Sequence, residues 1–507
     1  MTLLGIDIGT THCKAGLFGR NGVALKIVHR DNRTRRSPQG FAYYNPDDLW
    51  GAVTQAVSEL VAWARDEGLQ SPQAVGIASM AESGLLVDRS TGEARTPIYP
   101  WFDQTAIAQA QVLSSLPGGQ GRFYRHGIQP TFKCSLARII WLREQDEARL
   151  EGATWLSAAD YIAYRLTGEM ATDYSLAVRT YAFDLSVKRW DADLLATLDL
   201  GEDLFPALKA AGSPIGNISA HSRDVTGLPS GIPVAITGHD HICGAFAAGM
   251  ATGGIAPGMI YDSIGTAESL LGNFPERSLG EQDHAAGFSY GCHVVEGFMY
   301  WLGGLSTSGG SVEWLRGVLA DPALSYRDLD QLIEGQPDKP TGIIYFPYLA
   351  GSGSPHTDSM SRGTFLGLSA AHSRADLYQA VLEGVAYEIE FMRRRAQEAF
   401  HTPIKRIVAA GGGTRNLPWM QIRADISGCQ VDAFPQAEIT LQGAALLAGL
   451  GSGYYESRED IIANLEGQQM ETYLPQPEIH SIYQGLYEQG FARLQEPLRS
   501  AFGKERI

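Results

Sequence analysis

The sequence predicts an α/β protein of two similarly built domains that face each other across a cleft. Three observations predict it. The motif Asp7-Ile8-Gly9-Thr10-Thr11 ends an apolar run, and a partial echo, Ser263-Ile264-Gly265-Thr266-Ala267, ends another half a chain later. At 507 residues the chain is too long for one ordinary core, so two large domains are the natural division. The first half also opens with strands, a helix and a further strand, and the second half is similar in kind. A strand running into Gly-Thr makes a tight turn. Its glycine lets an anion approach the backbone, and its threonine supplies hydroxyl and amide donors. Two such turns, one per half, describe a scaffold that grips phosphate from two sides, as a phosphotransferase or ATPase needs.

Taken in order, Leu3–Ile8, Cys13–Phe18 and Val23–Val28 read as strands, the last two joined by the hairpin turn Gly19-Arg20-Asn21-Gly22. A helix is predicted over Pro46–Asp66. Asn45 is its N-cap, Pro46 its first residue, Asp47 and Asp48 its acidic first turn, and Leu49, Val53, Val57, Leu60 and Ala64 its buried stripe. Ala74–Ala78 is the next strand. Three meandering strands, a helix and a strand is the order of a ribonuclease H-like domain.

In the second half, strands are expected at Met259–Ser263, Ala286–Tyr290, Val294–Val295, Ile343–Pro347 and Ile404–Ala410. Helices are expected over Ser306–Leu319, from Ser373 with its Asp376 capping box, through Trp419 and Ile422, and over Thr440–Leu450. The domain boundary falls in the Gly/Ala/Pro-rich stretch near Ala248–Gly258, giving domains 1–250 and 251–507.

A formal net charge of −16 argues against a protein that tracks a nucleic-acid backbone. It does not oppose an anionic ligand held by a few local donors. Five scattered cysteines without a Cys-x-x-Cys pair give neither a disulfide framework nor a zinc or iron–sulfur site. No apolar run is long enough to span a membrane, and a strand from residue 3 leaves no room for a signal peptide, so a reducing cytoplasm is expected.

The motifs together resemble those of the FGGY-type carbohydrate kinases, within the superfamily of actin, hexokinase and heat-shock chaperone ATPases. The resemblance covers nearly the whole chain in order. It runs through Leu4–Thr11, Asp160-Tyr161-Ile162, Leu166–Glu169, Thr172–Ser175, Gly238-His239-Asp240 and Ser263–Thr266. It continues through Arg362–Leu368, Glu383–Ala386, Gly411-Gly412-Gly413 with Asn416, and Gln442–Ala445. It implies two ribonuclease H-like (actin-like ATPase) domains, with sugar held by the first and ATP by the second.

The resemblance implies that Asp240 is the catalytic residue, in keeping with the need of phosphoryl transfer to a hydroxyl for a carboxylate that takes the proton. The resemblance also makes it a substrate contact; without that resemblance, a carboxylate opening the apolar helix Ile242–Ala248 reads as an N-cap. Asp7 is implied to lie near Mg²⁺, with Gly9, Thr10 and Thr11 on the phosphates of ATP. That agrees with the preference of a hard cation for carboxylate oxygen. Gly265 and Thr266 are implied to face the γ-phosphate, and Gly309, Gly412 and Asn416 to approach the adenosine. His239 and His241 have metal-like His-x-His spacing but no third ligand in sequence, which favours pocket or packing roles.

Sugar recognition is implied for Glu82, in Ser79-Met80-Ala81-Glu82-Ser83-Gly84, and for Trp101 and Asp103 in Pro100–Gln104. Aromatic faces pack on sugar C–H surfaces and carboxylates accept hydroxyl hydrogen bonds. Ala81 stands where glycerol kinases carry an arginine, so the expected acceptor is an open-chain ketose or polyol, a pentulose or hexulose, as in xylulokinases, before glycerol. Ala350–His356 departs from the family's Gly-Glu-Arg-x-Pro, and its glycines predict a mobile loop. The expected partners are a small sugar and ATP, with a homodimer allowed for and neither nucleic acid nor membrane. Three rivals remain: a non-catalytic sugar or nucleotide sensor, a chaperone- or filament-type ATPase, and a repressor. The sensor is opposed by the intact Asp7, Asp240 and both turns, the ATPase by Glu82, Trp101 and Asp103, and the repressor by the missing helix-turn-helix.

Overall fold

The computed structural model describes residues 1–334, 339–434, 438–465 and 470–502. Its framework is two mixed sheets. In the first half, β1 (Thr2–Ile8), β2 (His12–Gly19) and β3 (Ala24–Asp31) form an antiparallel meander. Helix α1 (Pro46–Asp66) leads to β4 (Pro72–Ser79), parallel to β1. Strands β5 (Pro214–Asn217) and β6 (Pro233–His239) complete the sheet in the order β5–β6–β4–β1–β2–β3, and α2 (Asp240–Ala251) follows directly.

The second sheet repeats the plan. Strands β7 (Met259–Ile264), β8 (Glu268–Pro275), β9 (Ser289–Cys292) and β10 (Phe298–Leu305) are antiparallel neighbours. Helices α3 (Gly309–Leu319) and α4 (Arg374–Phe400) come next, then β11 (Arg406–Ala410), parallel to β7. Helix α5 (Leu417–Ser427), β12 (Gln430–Ala433), α6 (Ile439–Gly451) and β13 (Glu471–Tyr473) finish it, giving the order β9–β10–β8–β7–β11–β12–β13. In both sheets the strand before the Gly-Thr turn is antiparallel to its successor and parallel to the strand that returns after the helices.

Local chemistry explains the best-predicted elements. The Asn45 side chain accepts from the amides of Asp47 and Asp48 at 2.8 and 3.1 Å, and the predicted stripe of α1 is buried. The Ser373–Asp376 capping box opens α4 as its pattern requires. Other expectations need correction. Residues 281–286 are helical and β9 starts only at Ser289; Val294 and Val295 lie in a turn, and the strand there, β10, begins at Phe298. Nor is 350–356 a loose loop. Gly353 lies against the backbone of Gly304, whose carbonyl accepts from the Ser354 amide at 2.9 Å, and Ser352 Oγ donates to His356 O at 2.7 Å.

The two halves exchange helices. α6, from the second half, packs on β1, β4 and β6, while α2, from the first, contacts β7 and β8. Small residues allow it: a side chain at Gly5 or Gly76 would strike the α6 backbone at Leu441 or Ala444, and Gly443 lies against Cys243 of α2. The apolar core around α2 and α6 draws on both sheets, from Leu3 and Ala78 to Tyr261 and Val408. All five cysteines are buried free thiols. No helix among the described residues is long and apolar enough to cross a membrane.

Candidate active site

The first turn closes the loop between β1 and β2, where Ile8 pairs with Cys13 and Asp7 with Lys14. The Gly9 amide donates to His12 O at 3.0 Å. Thr10 is fixed from two sides: its carbonyl accepts from Tyr44 OH at 3.0 Å and its Oγ1 accepts from Trp101 Nε1 at 3.2 Å. Thr11 is exposed, its hydroxyl 3.0 Å from His12 Nδ1.

Asp7 is 6% exposed, and its Oδ1 is buried without a hydrogen-bond partner among the described residues. Burial pushes its carboxyl up to about 7, the charges of Asp240 and Glu438 add to the rise, and Lys14 opposes it. Lys14 pairs with Glu438 at 2.6 Å, tying the first sheet to the segment that leads into α6.

Asp240 is the first residue of α2. Gly238 just before it has φ +110°, in the left-handed region, and a Cβ there would meet Ser175 Oγ, which accepts the His239 amide at 2.9 Å. This bend delivers the carboxylate at a helix N-terminus. Its Oδ1 accepts from the His241 amide at 2.7 Å and lies 3.1 Å from His239 Nε2 and 4.0 Å from His241 Nε2. Burial raises the group, but the adjacent histidines outweigh it and hold Asp240 far below the usual carboxylate range. All three contacts fall on Oδ1, so Oδ2 makes no hydrogen bond among the described residues. His239, Asp240 and His241 bring three donor atoms within 4.8 Å of one another, so Asp240 is the third donor that the sequence did not reveal.

The second turn is shorter, with Ile264 paired to Glu268. Gly265 N–H donates to Ala267 O at 3.0 Å, and the exposed Thr266 hydroxyl has no hydrogen-bond partner among the described residues. The N-terminus of α3 rests on this turn: Ser308 and Gly310 amides donate to Thr266 O at 3.0 and 2.9 Å, and Gly309 N–H to Gly265 O at 3.0 Å. A Cβ on Gly309 would come within 2.6 Å of that carbonyl, so the glycine serves turn-to-helix contact. Beyond β11, Gly411 abuts Ile264 and Gly412 is open to solvent. The Asn416 side chain caps α5 through Trp419 N at 2.9 Å and donates to Tyr378 OH at 2.7 Å and to Asp330 Oδ1 at 3.1 Å. Behind the turn lies a buried cluster that sequence reasoning missed. Arg423 on α5 contacts Asp262 and Glu268, each at 2.7 Å, and Ser308 Oγ donates to Glu268. The two halves meet beside Asp240, where Ser269 Oγ lies 3.3 Å from His241 Nε2.

On the sugar side, Trp101 is half-buried and touches the first turn as described. Glu82, at φ 58°, is paired to Arg179, 97 residues away, with Nε 2.7 Å from Oε1. Arg179 Nη1 and Tyr300 OH are buried with no hydrogen-bond partner among the described residues. Lys133 Nζ stands 5.0 Å over the Trp101 ring. Asp103 is fully engaged within the protein: Arg138 holds Oδ1 at 2.7 Å and the Ala42 amide donates to Oδ2 at 2.7 Å. It positions the Trp101 segment, and its oxygens are not free for an external hydroxyl. No sequence pattern marks Arg179, Lys133 or Arg423, whose partners lie far along the chain.

Comparison with known proteins agrees over the full fold. The model of the FGGY family of carbohydrate kinases matches through its N-terminal domain over residues 2–247 and its C-terminal domain over residues 261–452. The chain is 28% identical over 472 residues to the xylulose kinase of Bacillus subtilis, covering 90% of each chain. It is also 28% identical to the glycerol kinase of Gloeobacter violaceus, covering 91% of this chain and 90% of that one. A xylulose kinase structure from Rhodospirillum rubrum superposes with a TM-score of 0.88 at 26% identity, covering 99% of this chain and 100% of that one.

Proposed function

The chain belongs to the FGGY family of carbohydrate kinases, and from that premise we propose that it transfers the γ-phosphoryl group of ATP to a hydroxyl of a small open-chain sugar or polyol, with Asp240 as the base. The observation that carries the reading is the carboxylate of Asp240, held ionised at the N-terminus of α2 with its contacts on Oδ1, while Oδ2 makes no hydrogen bond among the described residues. A hydroxyl placed on Oδ2 loses its proton there as its oxygen bonds to the γ-phosphorus and the bond to ADP breaks.

The phosphate donors come from both turns, Thr10 and Thr11 in the first and Thr266 in the second, with Gly265, whose amide is spent on Ala267 O, letting the phosphate approach the backbone. Trp101 and Glu82 form the acceptor side. Asp7 fits a magnesium ion: its Oδ1 is a buried hard donor with no partner, next to a second carboxylate. When bound, the ion neutralises phosphate charge. Around it Asp7 and Lys14 hold the local charge, and closure of the two halves excludes the water that would otherwise hydrolyse ATP. The open side of Gly412 leaves room for the nucleoside beside the second turn. Buried free thiols favour a reducing compartment, which supports a cytoplasmic enzyme.

The test is ADP release in the presence of pentuloses, hexuloses, alditols and their acids, measured against a no-acceptor background. Acceptor-dependent release supports the reading; a rate that no acceptor changes overturns it.

A further inference from the structure

Relatives named for xylulose and for glycerol are each 28% identical to the chain, so the acceptor must be read from the acceptor side of the site. Its charges are unbalanced. On the catalytic side, Asp240 lies against the rings of His239 and His241. On the acceptor side Arg138 is matched by Asp103, which leaves two cations, Arg179 and Lys133, to one anion, Glu82. Arg179 spends its Nε and Nη2 on Glu82, which leaves Nη1 buried with no hydrogen-bond partner among the described residues. Lys133 makes no ion pair or hydrogen bond among the described residues; its ammonium rests only on the face of Trp101, whose indole N–H reaches Thr10 of the first turn. The charges of Glu82 and Arg179 both act on Lys133, and both also act on His241 beside Asp240, which marks these groups as one cluster. A half-buried cation without a partner is costly unless something anionic arrives to meet it.

We propose that the acceptor is a sugar acid, an open-chain polyhydroxy carboxylate such as an aldonate, and that Lys133, with the free N–H of Arg179, receives its carboxylate. This rests on the kinase reading above and narrows its substrate class. A carboxylate suits the donors on offer, one guanidinium N–H and one ammonium; a phosphate dianion would need more. With the carboxylate held there, the chain of hydroxyls runs past Trp101 and Glu82 toward Asp240 Oδ2. The reaction is unchanged: the hydroxyl oxygen bonds to phosphorus, the ADP oxygen leaves, and the proton passes to Asp240.

The experiment measures kcat/KM for acceptor-dependent ADP release with four- to six-carbon aldonates, with ketoses and alditols of the same lengths, and with the matching sugar phosphates. Wild type, Lys133→Met and Lys133→Arg are compared, with ATP affinity of each variant as the folding control. Wild type is expected to favour an aldonate by about 100-fold or more over its alditol. Lys133→Met is expected to lose about 10- to 100-fold on that aldonate, mainly through KM, and Lys133→Arg to recover most of it. A preference for neutral acceptors or sugar phosphates, or an aldonate rate that Lys133→Met leaves untouched, overturns the inference while the kinase reading stands. No acceptor-dependent release from any class overturns both.

Discussion

The two Gly-Thr turns occupy equivalent places in their sheets, yet the charge around them lies on opposite sides. Around the first turn it faces the cleft: Asp7, Lys14, Glu438 and, close by, Asp240. Around the second it is sealed behind the turn, where Arg423 joins Asp262 and Glu268 and the last of these grips Ser308 under α3. Burial and the neighbouring Glu268 push Asp262 upward against the pull of Arg423. One plan, used twice, has therefore divided its labour. The first half holds a buried carboxylate, Asp7, that burial pushes upward, at a cost to the resting fold. The second holds buried charge as a brace, and at its turn the exposed Thr266 hydroxyl makes no hydrogen bond among the described residues.

That contrast can be broken most directly at Asp240. Asp240→Asn keeps the shape and removes the proton acceptor, so turnover should fall by about 100- to 10,000-fold while ATP binding persists. Steady-state kinetics beside nucleotide titration decide it, and near-normal turnover removes the chemical role given to the first half.

The brace comes next. Arg423→Met leaves Asp262 and Glu268 buried without a cation, and should cost about 3–5 kcal/mol of stability. A urea midpoint equal to wild type would mean that the cluster behind the second turn braces nothing.

Asp7 should do the reverse. Its folded carboxyl sits near 7 against a usual 3.8, so its contribution to stability is fully present below pH 3.8 and is lost as pH climbs through about 7. Asp7→Asn should therefore be more stable than wild type above pH 7, by about 2–4 kcal/mol, with the gap closing toward pH 4. The same variant should lose transfer. Midpoints measured across that range check both sign and window, and a gap that does not change with pH contradicts the assignment.

The smallest effect separates binding from transfer at the second turn. Thr266→Val removes a hydroxyl donor at nearly constant volume and should lower turnover by about 10-fold with little change in ATP affinity. Equal losses in both would make the turn an ordinary binding element.

What could be read from sequence was what short-range chemistry decides. The N-cap at Asn45, the Ser373–Asp376 box and the strand-to-glycine turns each need only a few neighbouring residues, and each stands where its pattern puts it. Strands β8 and β10 were hidden because Glu268–Pro275 and Phe298–Leu305 carry glycines and lack clean alternation of polar and apolar residues. Within the site, Asp103 shows the limit of analogy: its segment was legible, but its partner Arg138 is set by a helix that folds over it. Arg179 was invisible for the same reason, since nothing near residue 179 announces a carboxylate at residue 82.

The exchange of α2 and α6 has a consequence for how the molecule can be divided. The apparent seam near residue 250 is a seam of sequence, whereas the seam of packing runs elsewhere. A polypeptide ending there would leave the glycine-lined back of its own sheet, around Gly5 and Gly76, without the helix that covers it. The remaining polypeptide would carry α6 with no sheet to lie on. Each half thus serves as the other's missing piece. If the two sheets descend from one repeated unit, that unit has since lost its independence, and separate fragments should become stable only when mixed.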